Sequence, residues 1–131
     1  MSKGLKGITV TIDGNATPLN KALSSVNANA KSLQSELKGV NSLLKLDPKN
    51  TELAAQKQVI LKQAVSETEE KLKLLTQAEK EMAEAGKDVN DEGYRDLQRE
   101  IALTKSKLSD YKTELKAVED QQKKAAKEAE T

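Results

Sequence analysis

Carboxylates at Glu69, Glu70, Glu79 and Glu81, and a second acidic group at Asp88, Asp91 and Glu92, are the first places to look for chemistry in this chain. A pair of carboxylates acting as general acid and base needs an apolar pocket that holds one of them protonated while the other stays ionised. The chain has no Phe and no Trp to build such a pocket, so the four glutamates read as a solvated helix surface. Asp88, Asp91 and Glu92 lack the ligand spacing, central glycine and closing glutamate of an EF-hand calcium loop, and read instead as a capped helix start. Histidine and cysteine are both absent, which removes imidazole catalysis, thiolate chemistry, disulfides and the commonest transition-metal ligands. No catalytic residue, cofactor or metal is expected, and the chain is read as non-enzymatic.

Composition narrows the partners in the same way. With 131 residues and two tyrosines as the whole aromatic content, the chain makes one domain at most and no thick globular body. Its 22 basic and 21 acidic residues nearly cancel, so no overall field draws it to nucleic acid or membrane. The lysines are scattered and both tyrosines fall on a helix seam, which leaves no stacking platform for single strands. No run of about 18 apolar residues occurs, so nothing in this segment is expected to span a bilayer. The opening MSKGLKGITVTIDG alternates apolar and polar residues, unlike a signal peptide. Residues 1–50 hold seven lysines against three acids, a local excess that suits either an acidic partner or the chain's own later helices.

The pattern along the chain supplies the elements. Ile8, Val10 and Ile12 alternate with Thr9, Thr11 and Asp13 between Gly7 and Gly14, the period of a short strand over 7–13. No second strand is legible, so the strand is expected to pair with another chain or to lie along the helices. Gly14, Asn15 and Ala16 read as a turn, after which Thr17 caps a helix with Pro18 in its first position. That helix carries Leu19, Leu23, Val26, Ala30, Leu33, Leu37, Val40 and Leu44 at alternating spacings of four and three, the repeat of a coiled-coil seam. Leu46-Asp47-Pro48-Lys49-Asn50 interrupts it as a tight corner, resembling the inter-repeat corner of tetratricopeptide repeats in turn chemistry alone.

Asn50 or Thr51 caps a second helix whose seam is read as Leu61, Val65, Thr68, Leu72, Leu75, Glu79 and Met82, with Leu53, Ile60 and Leu74 widening the apolar side. It is expected to end near Gly86, before a loop over 86–91 that closes on Asn90 or Asp91 as the next cap. The third helix has the most regular seam: Tyr94, Leu97, Ile101, Thr104, Leu108, Tyr111, Leu115, Val118, Gln122 and Ala125. The expected fold is mainly α: an N-terminal arm over 1–16, then helices over 17–46, 51–85 and 91–127 forming antiparallel coiled-coil hairpins, and a frayed tail over 128–131.

Taken together, KGITVTIDGNATPLNKAL, KSLQSELKGVNSLLKLDPKNTELAAQKQ and GYRDLQREI resemble the N-terminal region of tail tape measure proteins of long-tailed phages and prophages of Gram-positive bacteria. The resemblance covers about residues 5–118 and rests on the order of the parts: strand, leucine-rich helix, LDPxN corner, two further helices. It implies a structural virion protein, made in the host cytoplasm, that runs in the tail lumen, sets tail length and is expelled at infection. Its partners would be other tail proteins or tail-assembly chaperones. Such proteins are many hundreds of residues long, and the charged helical finish of this chain points to an opening module cut from a longer one. The competing reading is a small phage-encoded regulatory or anti-defence protein that docks helices onto a host protein; a chaperone-like adaptor is a third. The long seam of the third helix further predicts a homo-oligomer, with a trimer first.

Overall fold

The computed structural model describes residues 11–12, 15–16 and 19–130, with side chains from 19 to 127. Among the described residues three helices dominate: α1 (Leu19–Leu46), α2 (Thr51–Glu84) and α3 (Glu92–Glu130). Their 28, 34 and 39 residues make rods about 42, 51 and 58 Å long at 1.5 Å per residue. The four-residue corner between α1 and α2 and the short loop between α2 and α3 turn the chain back each time, giving an up-down-up bundle. α2 packs along both neighbours, whereas α1 and α3 approach each other far less closely.

Local chemistry sets the helix ends. Asn50 has extended backbone and its side-chain oxygen accepts from the Leu53 N–H at 2.9 Å, while its amide donates to the Asp47 carboxylate at 3.2 Å. One side chain thus caps α2 and ties the Pro48 corner shut. At the other end Gly86 adopts a φ of 89°, and the Gly86 and Lys87 N–H groups donate to the Ala83 and Met82 carbonyls at 3.0 and 2.9 Å. This is the Schellman arrangement, which favours glycine because only the left-handed region closes it. Asp91 stands before α3: its carbonyl accepts the first helical bond, from Arg95, and its carboxylate accepts from the Asp88 N–H at 3.0 Å. Residues 128–130, expected to fray, continue α3.

Ahead of α1, Thr11–Ile12 (β1) pairs antiparallel with Asn15–Ala16 (β2), Ile12 opposite Asn15. The sequence reading gave Ile12 no partner in its own chain and placed Asn15 and Ala16 in a turn; this two-residue ladder corrects both points. Asp13-Gly14 between the paired residues is the dipeptide most suited to a two-residue hairpin loop, and it was the available signal. Ile8 and Val10, with most of the strand expected over 7–13, lie outside the described residues, as do Thr17 and Pro18.

The core divides into two apolar clusters. One joins Leu19, Leu23 and Val26 of α1 to Leu74, Leu75, Ala78 and Met82 of α2 and Leu97 and Ile101 of α3. The other joins Leu33, Leu37 and Val40 to Ile60, Leu61, Ala64 and Val118. Leu23, Leu61, Leu75 and Leu97 are the largest fully buried side chains, each worth about 1.5–3 kcal/mol of burial.

Candidate interaction surface

Between the two clusters the bundle interior turns polar. Thr68 and Thr104 are buried, and each hydroxyl donates back to its own helix, to the Ala64 carbonyl at 2.6 Å and the Glu100 carbonyl at 2.7 Å. Beside them Lys71 Nζ of α2 lies 2.9 Å from Glu100 Oε2 of α3, with side chains 7% and 6% exposed. That oxygen accepts no hydrogen bond of normal geometry among the described residues, so the attraction is coulombic and strengthened by the poorly screened surroundings. Such a pair repays its desolvation only while both partners remain.

A second, more exposed pair sits on the same interface, Lys57 Nζ to Glu114 Oε2 at 3.1 Å. Lys57 precedes Lys71 by fourteen residues and Glu114 follows Glu100 by fourteen. The two pairs are therefore one contact repeated after two heptads of an antiparallel coil. The same register sets Lys107 midway, opposite Ala64, and Lys107 forms no ion pair among the described residues. Gln58 adds a hydrogen bond to Glu119 at 3.3 Å, and Lys112 and Glu69 form an exposed pair at 3.6 Å.

The sequence-derived seams fare differently on each helix. On α1, Leu19, Leu23, Val26, Leu33, Leu37 and Val40 are buried and Leu44 half-buried, all against the chain's own helices. On α3, Leu97, Ile101, Thr104 and Val118 are buried, while Tyr94, Leu108, Tyr111 and Leu115 are half-buried. On α2, Leu61 and Leu75 are buried, but Val65, Leu72 and Glu79 only flank the core. The buried line there is Leu61, Ala64, Thr68, Lys71, Leu75, Ala78 and Met82, which alternates three and four as evenly as the expected one. Small alanines let the helices approach, and Lys71 is tolerated by Glu100. Lys71 and Glu100 are the residues the sequence reading missed; their signal was position, each lying three residues after and four before buried members of its helix.

Where α1 and α3 diverge over α2, a groove of about 340 Å³ opens. Asn27, Ala30, Lys31 and Gln34 form one wall, Leu103, Thr104, Lys107 and Tyr111 the other, and Thr68 and Lys71 the floor. Gln34 and Tyr111 approach from opposite walls, and the Gln34 amide interacts with the Tyr111 hydroxyl. Burial raises the Tyr111 pKa above its ordinary 10.0; the Gln34 amide opposes the rise and the charge of Glu114 adds to it. Among the described residues no cluster of metal-ligating side chains occurs and no helix is long and apolar enough to cross a membrane. Comparison with protein-family models, with curated proteins and with solved structures finds no match.

Proposed function

We propose that this chain is the N-terminal module of a tail tape measure protein, a structural component that works during assembly inside the tail tube and contributes to setting tail length. The observation that carries the reading is the order of its parts: the KGITVTIDGNATPLNKAL opening, the LDPKN corner and the GYRDLQREI helix stand in the sequence in the order of that family's opening region. The bundle is consistent with the role. It folds back at the LDPKN corner and again at Gly86, so this segment serves as a compact end piece and the measuring length belongs to helix elsewhere in such a protein. Its work is done by helix surfaces offered to other protein chains, among which tail proteins and tail-assembly chaperones come first.

An antibody against residues 19–127 should detect the chain in purified tails once they are disrupted, and should pull down the tail-tube subunit from lysates in which tails are assembling. Recovery only outside particles, bound to a host protein, would replace this reading with that of a small regulatory or anti-defence protein. Self-association is part of the proposal, through surfaces other than the seams, because α1 and much of α3 spend their seams within one chain.

A further inference from the structure

We infer that the groove between α1 and α3 is a docking site for an amphipathic helix with acidic flanks, which completes a four-helix arrangement over α2. The site is placed by packing. α2 touches both neighbours along its length, while α1 and α3 leave the 340 Å³ groove between them. Its upper surface is apolar: Ala30 and the half-buried Tyr111 ring line it, and Leu103 stands 54% exposed beside them. A leucine-sized side chain from a fourth helix has both a wall and a floor to meet there.

Charge selects the occupant. Lys31 on α1 and Lys107 on α3 face each other across the rim, and neither forms an ion pair among the described residues. The third amine, Lys71, is already neutralised by Glu100, and no carboxylate is among the lining residues. The opposite furrow, between α1 and α2, carries Glu36 and Glu67 instead. The cationic character is therefore local to the α1–α3 side. A second copy docking the same groove around a twofold would set lysine against lysine. A helix carrying an apolar stripe flanked by glutamates meets both the apolar wall and the two free amines.

The test uses the full chain and two synthetic helical peptides with identical leucine stripes, one flanked by glutamate and the other by lysine. The glutamate peptide should bind with amide shifts confined to Ala30, Leu103, Lys107, Tyr111 and their neighbours, and should weaken as salt rises. Lys31→Glu should reduce its affinity at least tenfold and favour the lysine peptide. Leu103→Ser, an exposed position whose change leaves helicity intact, should weaken both peptides. Equal binding of the two peptides, no binding of either, or shifts elsewhere on the bundle would overturn the proposal. So would concentration-dependent dimerisation that broadens the groove resonances, which would assign the face to a second copy.

Discussion

Lys71 and Glu100 form a buried ion pair at 2.9 Å, in register with the outer pair Lys57 and Glu114. Removing one partner leaves a buried charge without compensation, which costs about 3–5 kcal/mol, whereas replacing both with apolar residues of similar volume is neutral or stabilising. Lys71→Met and Glu100→Leu should each lower the denaturant midpoint sharply, and the double variant should recover it. Two single variants with no effect would show that the pair is solvated in solution.

Lys107 has a second consequence for the α2–α3 interface. With Lys57 opposite Glu114 and Lys71 opposite Glu100, sliding α3 by one heptad in either direction brings Lys107 against Lys71 or against Lys57. Both alternatives are penalised by like charge, which makes the native register the favoured one. Lys107→Glu turns both penalties into attractions. Doubled amide resonances along α2 and α3 are the expected outcome, and a single set with native shifts would remove Lys107 from any role in register.

The same substitution has opposite signs at two glycines. Gly39 lies in the interior of α1 with open space where a Cβ would project, so Gly39→Ala should stabilise by about 0.5–1 kcal/mol. Gly86 is equally uncrowded but holds a φ of 89°. Gly86→Ala should therefore destabilise by about 1–2 kcal/mol through the backbone alone. Thermal unfolding of the two variants should separate them in opposite directions from the parent.

Alkaline pH should act through Tyr111. Burial raises its folded-state pKa above 10.0, so the neutral ring contributes stability that is complete below the unfolded value and is lost as pH climbs through the folded one. Stability measured from pH 9 to 12 should fall more steeply in the parent than in Tyr111→Phe. Parallel curves would mean that the ring is solvated.

Leu61→Ala and Leu75→Ala, one in each apolar cluster and both fully buried, should each cost about 2–5 kcal/mol. Leu46→Ala, at an 83% exposed position beside the corner, should be neutral by the same measurement. Comparable losses at all three sites would contradict the two-cluster description.

What the sequence disclosed depended on how many neighbours each helix has. α1 meets the bundle with one narrow stripe, and its four-three alternation names every buried position. α2 lies between two helices, so its buried surface is broad and two equally regular alternations compete. Favouring the large apolar Val65 and Leu72 selected one alternation and carried it through Glu79, where the structure buries Ala64, Lys71 and Ala78. A lysine is placed inside only by a partner, and that partner, Glu100, lies 29 residues further along the chain. The groove was illegible for a related reason: it arises from the separation of two helices, which neither helix encodes alone. The corners at Pro48 and Gly86 were legible because proline geometry and glycine φ are local properties.

Three antiparallel helices are an odd number, and this fixes how the bundle responds to force. The start of α1 lies beside the α2–α3 loop, and α3 ends past the opposite corner, so a pull on the two ends loads α1 against α2 and α2 against α3 lengthwise. Every layer of the core then resists at once, and the Lys71–Glu100 pair lies across the plane of sliding. Once that plane yields, the 112 residues from Leu19 to Glu130 can lengthen from one rod of about 58 Å to three in series, roughly 150 Å while still helical.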